Sequence, residues 1–134
     1  MSDNIFGFFD ERGFPCMKFD LQAENSPIPK RTLTGIIDTG STGFLQIPQD
    51  IAVQLSFAEP EPRSAVDVGF GDGRSRLCPM VRGYATLGSE TKAGSVIVAP
   101  GWRILIGMSF LRAFRKALFV STSSGVKLIP DELP

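Results

Sequence analysis

Apolar residues in this chain fall into short runs punctuated by turn-forming residues, not into long stripes at helical spacing. Ile5-Phe6-Gly7-Phe8-Phe9 and Phe14 to Leu21 flank Asp10-Glu11-Arg12-Gly13, a pattern that predicts an N-terminal β-hairpin over about residues 5–21, its loop closed by Gly13. Gln22 to Lys30 is polar, carries Pro27 and Pro29, and reads as a loop. From Arg31 polar and apolar positions alternate until Ile36-Ile37, which predicts a strand running into the centre of the molecule. Pro48 to Leu55 places Ile51, Ala52 and Leu55 on one helical face, with Pro48 suited to a first turn, so a short helix is predicted.

Glu59-Pro60-Glu61-Pro62 reads as a rigid connector. Ala65 to Phe70 and Arg76 to Tyr84 are strand candidates around Gly71-Asp72-Gly73-Arg74-Ser75, a glycine-bearing tip, which together predict a second hairpin over about residues 65–84. Gly94 to Ala99 is a further strand, Pro100-Gly101 a turn, and Arg103 to Ile106 a short strand ending at Gly107. A helix is predicted over 109–116, with Ser109 as its N-cap and Phe110, Leu111 and Phe114 on its buried face. Ala117 to Ser121 and Val126 to Ile129 close the chain as strands around Ser123-Ser124-Gly125. With no repeat and no break in composition, residues 1–134 are expected to form a single domain, all-β with one or two short helices.

Composition narrows the chemistry. There is no histidine, which excludes Ser-His-Asp triads, Cys-His dyads, His general bases and His-ligated zinc within the chain. Fourteen basic and fourteen acidic residues cancel, so the electrostatic footprint of a nucleic-acid binder is missing and no nucleic-acid partner is expected. Cys16 and Cys78 have no metal-like spacing; they could pair with each other, but two such thiols read more readily as small buried hydrophobes in a reducing compartment. Met1-Ser2-Asp3-Asn4 opens without the basic and apolar segments of a signal peptide, and no run approaches the length of a membrane span. The expectation is a cytoplasmic protein without membrane contact, metal or cofactor.

One stretch carries chemistry. Ile36-Ile37-Asp38-Thr39-Gly40-Ser41-Thr42-Gly43 sets an acid directly after a buried-looking strand and before a glycine-rich bend, and Leu105-Ile106-Gly107 follows far downstream at the start of a helix. This combination resembles the retropepsin-like aspartic proteases, whose subunit carries a hydrophobic-hydrophobic-Asp-Thr-Gly-Ser/Ala loop and a later hydrophobic-hydrophobic-Gly. Ile104 to Leu111 is particularly similar to the bacterial and cellular members, and the resemblance extends from about Cys16 to Ile129. It implies a closed β-barrel subunit with short helices, acting on peptide or protein substrates. Two carboxylates sharing one proton hydrolyse the peptide, which needs neither histidine nor metal. The chain holds one such loop, so the arithmetic requires a homodimer in which Asp38 faces its copy.

By that resemblance Asp38 is the catalytic carboxylate. Thr39 would bond across the two-fold axis, Gly40 would let backbone approach the pair, and Ser41 would donate to the outer oxygen of Asp38. Ile36, Leu105, Ile106 and Gly107 would pack against the loop, while Gly71, Asp72 and Gly73 would form a flap over bound peptide. Thr42 and Met108 stand where viral members carry an acidic residue and an arginine, so their bracing charge pairs are not expected. Trp102 reads either as a wall of a specificity pocket or as a half-buried aromatic beside a turn. Asp38 to Thr42 and Asp67-Val68-Gly69 also match the phosphate loops of actin-like ATPases, a reading rejected because that fold needs two domains around a nucleotide. The alternative that stays open is a dimeric peptide-binding module on the same scaffold without cleavage.

Overall fold

The computed structural model describes residues 4–58, 65–69 and 73–132. In chain order the elements are β1 (Ile5–Phe6), β2 (Phe8–Phe9), β3 (Pro15–Ala23), β4 (Arg31–Ile37), β5 (Leu45–Ile47), α1 (Gln49–Gln54), β6 (Ala65–Gly69), β7 (Ser75–Leu87), β8 (Glu90–Val98), β9 (Leu105–Ile106), α2 (Met108–Ala113), β10 (Lys116–Ser121) and β11 (Gly125–Pro130). The all-β class with two short helices is as expected from the sequence. Glu59 to Pro62, Gly71 and Asp72 lie outside the described residues.

Six strands close into a barrel in the order β3, β4, β9, β5, β8, β7, the ring completed by β7 returning to β3. Alternation decides what fills it. Met17, Phe19, Leu21, Leu33, Ile37 and Ile106 point inward and are buried. Phe110 of α2 plugs one end, with ring centroids 5.7, 5.2 and 4.7 Å from Phe19, Phe44 and Phe114. β7 is long because it serves two partners: Ser75–Pro79 pairs with β6, and Met80–Leu87 pairs with β8. The β6–β7 hairpin therefore projects beyond the barrel as a two-stranded ribbon.

Three local expectations are revised. The first apolar run does not act as one strand. Phe8 and Phe9 pair with Cys16 and Pro15, as the hairpin requires, whereas Ile5 and Phe6 join β11 and β10 in a separate three-stranded sheet. Gly7 marks the split, since a Cβ there would stand 2.2 Å from the Cys16 carbonyl oxygen and its N–H bonds Val126 at 2.8 Å. The strand expected from Gly94 starts at Glu90, after a two-residue turn whose Gly88 has φ +60°. Finally, α2 is capped by Gly107, not Ser109, and ends before Phe114; Arg115 then takes a left-handed conformation, φ +54°, that turns the chain into β10.

Candidate active site

Asp38 ends the central strand of the barrel wall. β4 and β9 run parallel, with Ile36 opposite Leu105 and Ile37 opposite Ile106. Parallel pairing of residues so distant in sequence requires a crossover, and everything between them supplies it. The Ile36 N–H donates to the Ile104 carbonyl at 2.8 Å and the Asp38 N–H to the Ile106 carbonyl at 2.9 Å, so the backbone of the acid is held by the last residue before Gly107. Asp38 follows the end of β4 and is half-exposed.

The loop after it is a tight bend. The Gly40 N–H donates to Asp38 Oδ1 at 3.0 Å and the Ser41 N–H to the Asp38 carbonyl at 3.1 Å. A backbone amide on the carboxylate holds it in one orientation over the bend. Thr39 and Gly40 form the exposed tip. Ser41 turns away: its carbonyl accepts the Met108 N–H at 2.9 Å, and among the described residues its hydroxyl makes no bond to Asp38. Within the single chain, the oxygen-to-oxygen contact implied for Ser41 is not made.

Gly107 is what locks this loop to α2. Its N–H and those of Met108 and Ser109 donate to the carbonyls of Phe44, Ser41 and Gly43 at 3.1, 2.9 and 3.1 Å. Such close backbone approach leaves no room for a side chain, as a Cβ on Gly107 would lie 2.1 Å from the Gly43 oxygen. Leu105 and Ile106 lie just before Gly107, the first half-buried, the second fully buried in the core. Gly43 and Phe44 are members of this arrangement that sequence reasoning does not single out. The second glycine of the loop is the available signal for Gly43. Phe44 has none, because its role lies in its carbonyl and in a ring laid against Gly94.

The other candidates stand apart. Gly73 occupies the end of the β6–β7 ribbon with φ +83°. Asp67 and Gly69 lie in β6, paired with Leu77 and Ser75 rather than near a phosphate-like loop beside Asp38. Cys16 and Cys78 are free and buried, and burial pushes both thiols above their usual range, Cys16 further through the nearby charge of Asp10. A cavity of about 370 Å³ opens between α1, β7 and the end of β8, lined by Val53, Phe57, Leu77 and Val98 among others; Asp38 is not part of it. Among the described residues no three His, Cys, Asp or Glu side chains converge as a metal site, and no helix is long and apolar enough to cross a membrane.

No protein-family model and no curated protein matches this sequence. Solved structures do match the fold. A retropepsin-like aspartic protease from Rickettsia conorii superposes with a TM-score of 0.64 at 16% identity, over 97% of this chain and 92% of that one. The retroviral protease-like domain of Ddi1 from Leishmania major superposes with a TM-score of 0.51 at 12% identity, over 96% and 98%. The architecture of this chain is retropepsin-like.

Proposed function

We propose that this chain is one subunit of a homodimeric aspartic endopeptidase whose active site forms where two Asp38 loops meet. The observation that carries the reading is the placement of Asp38. A carboxylate is braced by the Gly40 amide and by β9, on an exposed tip with Thr39, in a retropepsin-like barrel. One chain offers a single such carboxylate on an open face, and a second copy supplies the other half.

In the dimer one carboxylate is ionised and one protonated, because two like charges in contact cannot both ionise. The ionised partner takes a proton from water as its oxygen attacks the peptide carbonyl carbon, while the protonated partner donates to the carbonyl oxygen. The tetrahedral intermediate then collapses, the C–N bond breaks, and a proton passes to the leaving amine. In this reading Thr39 bonds across the two-fold axis. Gly71, Asp72 and Gly73 are proposed as the flap tip; its ribbon edge pairs with an extended substrate as an added strand. Residues 1–134 act as one domain, without metal or cofactor, and the buried free thiols favour a reducing, cytoplasmic setting.

The test is cleavage of a mixed peptide library. Pepstatin-sensitive cutting that disappears in Asp38→Asn supports the reading, and full activity in that variant refutes it. Specific activity should also fall on dilution as the carboxylates separate; constancy to the lowest measurable concentration argues for an active monomer. A dimeric module that binds peptides and leaves them intact is the second reading. The neighbour described as a protease-like domain keeps it in view, and a dimer that binds library peptides without cutting any would establish it.

A further inference from the structure

Strand register lays one row of side chains across the outside of the barrel next to the Asp38 loop. Ile36 of β4 lies opposite Leu105 of β9, Leu105 opposite Gln46 of β5, Gln46 opposite Ile97 of β8, and Ile97 opposite Met80 of β7. Residues directly opposite one another share a face of the sheet. Their neighbours within the same strands, Ile37, Ile106, Leu45 and Val96, are buried in the core, so by alternation the row points outward. Every member of the row is half-buried. Ile36, Leu105, Ile97 and Met80 are apolar, and Gln46 in their midst is not. The other half-buried glutamine, Gln22, donates its amide to the Ile28 carbonyl at 3.1 Å, whereas among the described residues the Gln46 carboxamide has no hydrogen-bond partner.

The backbone ties this row to the catalytic loop. Ile36 stands two residues before Asp38, whose N–H continues the β4–β9 ladder to the Ile106 carbonyl at 2.9 Å. Leu105 stands two residues before Gly107, whose N–H donates to the Phe44 carbonyl at 3.1 Å, and Phe44 stands two residues before Gln46, just ahead of β5. Gly43 in turn faces the row, since a Cβ on it would meet Ile97 Cδ1 at 3.7 Å. With strands about 4.8 Å apart and about 3.3 Å of rise per residue, Gln46 lies roughly 12 Å from Asp38 between Cα atoms. An extended peptide spans that gap in about three to four residues, and the side chains that meet at Gln46 shorten it.

We infer that Gln46 is a specificity determinant of the proposed endopeptidase, selecting substrates with a carboxamide side chain, Asn or Gln, within three residues of the cleaved bond. A carboxamide carries a donor and an acceptor side by side, and a second carboxamide answers both at once, N–H to C=O in each direction. Leu105 and Ile97 on either side pack against the methylene stem and keep water away, which makes an unanswered amide costly. A Leu or Met side chain fills the same space and leaves the Gln46 amide unpaired. Asp or Glu answers the donor alone and sets a charge on a row that holds no cation. The inference rests on the endopeptidase reading for the position of the cut, and binding by a chain that cannot cut is read independently of it.

Two measurements test it. Library cleavage should enrich Asn and Gln at one fixed position within three residues of the cut. Gln46→Met, which keeps the length of the side chain and removes its hydrogen bonds, should turn that preference to Leu and Met, and Gln46→Glu should turn it toward Lys. Separately, the Asp38→Asn protein captures peptides from the same defined library; Asn and Gln should be enriched about tenfold over Leu among them, and the enrichment should vanish in the double variant Asp38→Asn, Gln46→Met. Cleavage without Asn or Gln enrichment, or enrichment that both Gln46 variants keep, overturns the subsite and leaves the protease standing. Cutting that weakens equally for every sequence in Gln46→Met also overturns it, since Gln46 then serves the peptide backbone. Capture that depends on Gln46, without any cleavage by the native chain, sustains the subsite and removes the protease. A library neither cut nor captured removes both.

Discussion

Gly107 and Gly43 face each other across the junction of the Asp38 loop and α2, and they should respond very unequally to the same substitution. In Gly107→Ala the new methyl would stand 2.1 Å from the Gly43 carbonyl oxygen and 2.9 Å from its carbon, both backbone atoms that no rotamer change moves. Restoring van der Waals distance parts the two segments by more than about 1 Å. The hydrogen bonds from Gly107, Met108 and Ser109, now 3.1, 2.9 and 3.1 Å, then exceed bonding range. Three such bonds at about 1 kcal/mol each come to about 3 kcal/mol. The lower entropy of the unfolded alanine chain offsets about 0.4–1 kcal/mol of this, leaving a net loss of about 2–3 kcal/mol. The φ of Gly107, −98°, is open to alanine, so the effect is steric and not conformational. In Gly43→Ala the methyl instead meets Ile97 Cδ1 at 3.7 Å, an ordinary contact, and stability should change by less than about 0.5 kcal/mol. Urea denaturation reads both, as a midpoint lowered by about 1–2 M for Gly107→Ala at unchanged slope and an almost unmoved midpoint for Gly43→Ala. Equal midpoints for the two variants would refute the close packing of these segments.

Phe110 is fully buried against three aromatic rings, so Phe110→Ala should cost about 3–5 kcal/mol in the same assay, and a loss under about 1 kcal/mol would show that α2 does not plug the barrel. Gly7→Ala sets a methyl 2.2 Å from the Cys16 carbonyl; hydrogen exchange should accelerate at the β1–β11 pairs, Ile5 with Leu128 and Phe6 with Lys127, while β3 and β4 amides stay protected. Burial raises the thiols of Cys16 and Cys78, so above the ordinary thiol pKa of about 8.5 the unfolded chain has released protons that the folded chain keeps. Stability contributed by these groups is fully present below that pH and is lost as pH rises toward their folded values. Denaturation midpoints measured from about pH 7 to 10 should therefore fall, and fall less in the Cys16→Ala, Cys78→Ala chain; identical slopes would sink the argument.

Asp38 is legible in the sequence because its signals are local: two β-branched residues predict the strand, and a glycine-rich bend predicts the turn that presents the acid. Strand alternation over Arg31–Ile37 and the helix after Pro48 are legible for the same reason, since period and turn chemistry act over a few residues. The absence of histidine limits the chemistry through composition alone. Pairing is a different matter. That Ile36 lies opposite Leu105, that β7 divides itself between β6 and β8, and that Ile5–Phe6 leaves its own run for β11 depend on which distant backbones fit together. The hydrophobic pattern is the same whichever partner a strand takes. Gly7 and Gly107 record the outcome, each standing where another segment's carbonyl has come too close for a side chain. Trp102 reads from the sequence as a pocket wall or as a turn aromatic; only the folded barrel brings Arg12 and Arg103 onto its ring, because those three residues come from loops that meet solely when the strands between them have closed.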